Sequence, residues 1–139
     1  MSRKITITLV CAVAVAGIAF VAAREYARAE TQTRHGVTTI VAPFQFSHDV
    51  PDIRRHGQIE LDHGCLVLTE SDDTSYLIVW PFGAKLSDDA TRVKADGVTY
   101  EVGDTFDGGG AVKRLDELGY RDAIPERCAN RKVIEVVPD

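Results

Sequence analysis

The sequence predicts an all-β fold, a small antiparallel barrel of OB-like type or a compact sandwich, preceded by one N-terminal hydrophobic helix. Three observations lead there. Short apolar runs follow one another closely from Val37 to Val137. Turn-forming segments such as Asp62–His63–Gly64 and Asp96–Gly97 separate them, and few stretches carry a helical period. Ahead of them all, residues 5–23 hold no charge.

That leading run sets the compartment. Arg3 and Lys4 precede it and Arg24 ends it. A helix needs about 20 residues to cross ~30 Å of hydrocarbon, and this run just reaches that length. The core of a cleaved export signal is shorter, ~7–15 residues. Residues 1–24 are therefore expected to form a single-pass membrane anchor. The alternative is a signal peptide cut before Arg24 or before Glu30, which releases the domain. Positive charges on the two sides of the run are nearly balanced, so orientation rests on the cysteines. Beyond the run only Cys65 and Cys128 remain, an even pair of the kind an oxidising compartment favours. The domain is placed outside the cytoplasm, with Cys65 and Cys128 joined.

The polar stretch 25–36 reads as a linker and 37–139 as one extracytoplasmic β domain. Residues 37–42 are β-branched and form a first strand that Pro43 ends. Residues 44–56 have no clean period. Residues 58–61 alternate, with Ile59 and Leu61 on one face, and Asp62–His63–Gly64 supplies a tight turn. Residues 65–69 and 76–80 are continuously apolar, as strands covered on both faces are. Residues 92–95 and 98–102 flank Asp96–Gly97, a strong hairpin signal because both residues tolerate positive φ. Residues 107–110 (DGGG) read as a flexible corner, 113–118 as one short helical turn, and 132–137 as a closing strand.

From Thr31 onward, 12 Lys and Arg stand against 19 Asp and Glu, a net charge of −7. An acidic domain repels phosphate backbones and anionic headgroups, so no nucleic-acid partner is expected.

In order along the chain, Cys65, the YLIVWP run at 76–81, Asp96–Gly97, VGD at 102–104, the glycines at 108–110 and IPERC at 124–128 resemble small actinobacterial exported or lipoprotein-like β domains of unknown function. The likeness spans about residues 57–137. It implies an extracytoplasmic β domain with its two cysteines paired, and no activity. Lipid attachment is not implied, because Cys11 lies inside the apolar run and follows Val10 rather than a small residue.

Candidate sites are few. His48, His56 and His63 lie close in sequence beside Asp49, Asp52 and Asp62, residue types that ligate Zn²⁺ or Cu²⁺, although their spacing matches no metal motif. Trp80 and Phe82 form an aromatic spot that anchors a partner or closes one end of the core. Glu70, Asp72 and Asp73 lack the spacing of a calcium loop, the glycines at 108–110 lack the Gly-Lys-Ser/Thr of a phosphate loop, and Ser47–His48–Asp49 is adjacent in sequence only. No catalytic residue and no cofactor is therefore expected. The leading expectation is a non-catalytic envelope module that binds or supports another protein or a cell-wall component. A metal-binding exported protein is the first alternative, and an enzyme of unrecognised type the second.

Overall fold

The computed structural model describes residues 28–44 and 53–139. The leader, its helix and His48 lie outside them. Among the described residues no helix is long and apolar enough to cross a membrane.

The chain is all-β, with ten strands and three single 3-10 turns among the described residues. In order the strands are β1 Glu30–Arg34, β2 Val37–Val41, β3 Arg54–Asp62, β4 Cys65–Glu70, β5 Ser75–Trp80, β6 Lys85–Leu86, β7 Arg92–Ala95, β8 Val98–Glu101, β9 Thr105–Lys113 and β10 Val133–Pro138. The predicted hairpins form where the turn chemistry put them. His63 and Gly64 have φ of 52° and 79°, and Asp96 and Gly97 have 48° and 85°, left-handed values that two-residue turns demand.

Pairing departs from the wholly antiparallel expectation. β3, β4 and β5 form an antiparallel meander, β5 then lies parallel to β10, β10 is antiparallel to β9, and β9 is antiparallel to β3. The ring of five therefore closes through one parallel contact. A parallel neighbour needs a long crossover, and the stretch from Trp80 to Val133 provides one. β2 wedges into the same wall, parallel to both β4 (Thr38 opposite Cys65) and β5 (Val41 opposite Trp80).

Two segments depart from their predicted roles. Residues 30–34 form β1, although the stretch reads as linker, because His35 and Gly36 (φ 47° and 81°) fold it back onto β2 in a two-residue hairpin. Its polar sequence ETQTR hides an edge strand. The glycines at 108–110 are not a corner but the middle of β9, paired on both sides. A Cβ on Gly108 would stand 2.7 Å from the Val137 carbonyl oxygen and 2.8 Å from Phe106 Cζ, so only glycine lets β9 and β10 approach there.

Strand alternation sorts side chains into two cores. Inside the ring lie Ile59, Leu68, Ile78, Trp80, Phe106 and Ile134. The small sheet β6–β7–β8 covers one end and contributes Leu86, Val93 and Tyr100 to the same core, where Tyr100 packs between Trp80 and Phe106 at centroid distances of 5.3 and 5.7 Å. Fully burying an aliphatic or phenylalanine side chain contributes about 1.5–3 kcal/mol, so each of these residues adds an increment of that size. The Gln32 side chain ties the parts together as a strand would: Nε2 donates to Ala84 O at 3.1 Å, and Oε1 accepts from Leu86 N–H at 2.7 Å.

The second core lies outside the ring. Ile40, Leu77, Val79 and Val133 face outward and are covered by Leu118, Tyr120 and Ile124 from residues 114–132. Three 3-10 turns let this strap follow the curved wall. Cys128 joins Cys65 beneath it, with Cα atoms 5.9 Å apart and both residues fully buried.

Candidate functional site

The inner core is tightly packed around Trp80. Beside Trp80, Ile59 and Tyr100 the residual space is about 10 Å³, enough for a single water at most.

On the outer surface the sheet register builds a groove of about 400 Å³ over β3, β4 and the start of β9. Gln58 stands opposite Thr105 on one side and Thr69 on the other, and Thr69 stands opposite Ser75, so one polar row crosses four strands. Strand alternation puts Gln58 and Glu60 on the solvent side while Gly57 and Ile59 face inward. The row is pre-oriented by its own hydrogen bonds. Thr69 Oγ1 lies 2.7 Å from Glu60 Oε2, to which it donates, and 3.0 Å from Ser75 Oγ. Gln58 Nε2 donates to Gly103 O at 3.1 Å.

Charge frames the row. Glu60, Glu70 and Asp73 line the groove, and His56 is at one end with Nδ1 3.9 Å from Asp107 Oδ2. At the same end Arg55 Nη1 donates to Glu70 Oε1 at 3.4 Å. The Tyr76 phenol nearby is held above its usual range, by burial first and then by the Glu70 and Asp72 carboxylates. The groove thus presents hydroxyls, one carboxamide, one imidazole and several carboxylates, a set richer in acceptors than donors. Among its lining residues there is no Phe, Tyr or Trp.

The histidines named from sequence do not converge. His56 is near the start of β3 and His63 in the turn beyond its end. Six strand steps of 3.3 Å carry the chain about 20 Å from His56 to Asp62, so no single ion reaches both His56 and His63. His63 pairs instead with Asp62, whose carboxyl is held below the usual range chiefly by the Arg131 guanidinium. His48 lies outside the described residues, and among those residues no group of three or more His, Cys, Asp or Glu side chains is arranged to hold a metal. Trp80 is fully buried in the inner core, so the surface contact falls to Phe82, which meets Phe44 edge-on at 5.4 Å. Cys65 and Cys128 are where the sequence reading placed them, joined.

A further polar group escaped the sequence reading. Glu135 is 2% exposed in the middle of β10, ion-paired with Lys113 and accepting a hydrogen bond from the Tyr120 hydroxyl. Burial, reinforced by the Glu135 carboxylate, pushes the Tyr120 phenol far above its usual range, so it remains a donor. Tyr120 and Lys113 meet the two oxygens of the Glu135 carboxylate beneath the strap, the arrangement of a structural clasp. A lone Glu in the apolar run VIEVV is the signal that marks it. The groove residues Gln58, Thr69 and Thr105 were missed as well, because alternation shows which residues face out but not which strands stand side by side.

Compared with models of protein families, with curated proteins and with solved structures, the chain matches none.

Proposed function

We propose that this chain is a non-catalytic module of the cell envelope, an OB-like barrel that binds a hydroxyl-rich cell-wall glycan in the groove over β3 and β4. The groove carries the reading: it is an open, pre-oriented row of hydroxyl, carboxamide and carboxylate groups. The order of the ring, a three-strand meander with its third strand parallel to the fifth and its first beside the fourth, supports the OB-like reading. Such barrels bind oligonucleotides or oligosaccharides on the face of their second and third strands and the adjoining loops; the groove here shares the second strand, β4, and extends over the first and fourth, β3 and β9. A net charge of −7 from Thr31 onward disfavours the polyanion and leaves the neutral or amine-bearing sugar. The fold supplies this as an analogy, and the groove supplies the chemistry.

The apolar run at 5–23 tethers the domain to the membrane, facing away from the cytoplasm; if the leader is cut, the domain diffuses free. The Cys65–Cys128 disulfide supports an oxidising compartment.

Without an aromatic platform, recognition rests on hydrogen bonds, and an affinity near the millimolar range, about −4 kcal/mol, is expected. Titrating the full chain with soluble glycan fragments released from the envelope, while following amide resonances by NMR, tests the reading. Saturable shifts at Gln58, Thr69 and Thr105, lost in Gln58→Ala/Thr69→Ala, support it. No saturable shift up to about ten times the expected dissociation constant overturns it.

A further inference from the structure

We propose that β1 is a self-complementary edge on which a second copy of this chain docks, antiparallel, joining the two seven-stranded sheets into one. The hairpin geometry fixes which backbone groups are on offer. Arg34 pairs with Val37 across the two-residue turn, so Arg34, Gln32 and Glu30 direct their N–H and C=O groups at β2. Thr31 and Thr33 direct theirs away. The opposite edge of β2 agrees with this parity, since Thr38 N–H donates to Gly64 O at 2.6 Å and Ala42 N–H to Trp80 O at 2.8 Å. β1 ends the strand order of its sheet, and among the described residues neither Thr31 nor Thr33 makes a backbone hydrogen bond on that outer edge. The side-chain bonds of Gln32 to β6 and of Thr31 to Ala123 leave those backbone groups in place.

Charges on an edge strand ordinarily block such pairing. Here they do the reverse, because they are opposite in sign and stand at opposite ends of ETQTR. Antiparallel pairing centred on Gln32 sets Thr31 opposite Thr33 of the second copy, which satisfies every outward N–H and C=O of both strands. It also sets Glu30 opposite Arg34 of the second copy, twice by symmetry, in the non-hydrogen-bonded positions where side chains approach most closely. Arg34 already meets Asp88 of its own chain, and its five donors leave room for a second carboxylate. Neighbouring registers that keep the parity fail. Centring on Thr31 puts Arg28 opposite Arg34, two like charges. Centring on Thr33 needs His35, which is committed to the turn at φ 47°. One register remains.

The test uses the full chain with Cys11→Ser, so that no free native thiol remains. In Glu30→Cys/Arg34→Cys the two new cysteines face each other only across the proposed interface, since four strand steps, about 13 Å, separate them within one chain. Air oxidation is expected to give a covalent dimer in the double variant and none in either single variant. In the second arm, without cysteines, Glu30→Arg is expected to weaken association about tenfold by turning two attractive pairs repulsive, and Glu30→Arg/Arg34→Glu to restore it. A chain that stays monomeric by native mass spectrometry overturns the proposal. So does cross-linking in the single variants as fast as in the double one, or failure of the reversed pair to restore association. None of these outcomes depends on what the groove binds.

Discussion

Opening the Cys65–Cys128 bond should remove a large share of the domain's stability, and the loss divides into two measurable parts. The bond closes a loop of 63 residues. The chain-entropy relation, −2.1 − 1.5R ln n cal/mol/K, gives about −14 cal/mol/K for that loop, or about 4 kcal/mol at 25 °C. Both cysteines are fully buried in the outer core, so deleting the sulfurs adds a packing loss of about 0.8 kcal/mol each if a sulfur counts as one methylene. Reduced wild type should thus lie about 4 kcal/mol below the oxidised protein, and Cys65→Ala/Cys128→Ala between 5 and 6, about the whole stability of a weak domain. Urea unfolding of the full chain in mild detergent reads both values. The slope m should also rise on reduction, because a denatured chain freed of its loop exposes more surface. A reduced protein within about 1 kcal/mol of the oxidised one, with m unchanged, would refute the argument. It would mean that Leu118, Tyr120 and Ile124 hold the strap unaided.

Gly108→Ala pushes a methyl against the Val137 carbonyl and the Phe106 ring; a loss of about 1–3 kcal/mol is expected as a lower thermal midpoint, and an unchanged midpoint would show that β9 can move aside. Tyr120→Phe leaves the buried Glu135 one donor short and should cost about 1–3 kcal/mol at neutral pH. Because the Tyr120 pKa is raised on folding, its contribution is complete below about pH 10 and declines as pH climbs past the unfolded phenol value. The variant should therefore lose less stability between neutral and alkaline pH than wild type, and equal slopes in urea midpoints would contradict this. Asp89 behaves in the opposite sense. The Ser87 hydroxyl and then the Thr91 backbone N–H hold its carboxyl well below the usual range, so its contribution is present above about pH 4 and is lost as pH falls further. Asp89→Asn should flatten the acid limb of a thermal-midpoint profile, and a limb as steep as wild type would show that other carboxylates control it.

What could be read from sequence was local. Asp96–Gly97, His63–Gly64 and the apolar runs 65–69 and 76–80 announced their hairpins and strands because turn chemistry and burial act over a few residues. The parallel contact between β5 and β10 was illegible, since nothing near Leu77 or Val133 names a partner so distant. Glu30–Arg34 was misread because an edge strand needs no apolar face, and the glycines of β9 because close backbone approach and flexibility look alike in sequence. The candidate site suffered most. His56 was named for its metal chemistry, whereas the groove around it depends on Gln58, Thr69 and Thr105 meeting across three strands. Residue type suggested one chemistry and register produced another.

Closing the ring with β10 also imposes a timetable on synthesis. No closed wall exists until Pro138 has left the ribosome, and Cys65 waits for a partner made 63 residues later, an interval of roughly 3–13 s at 5–20 residues per second. During that interval Cys11 is the only other thiol in the nascent chain. If the leader holds Cys11 within the lipid, the wrong bridge cannot form, and the anchor then acts as a chaperone for the cysteine it keeps out of reach.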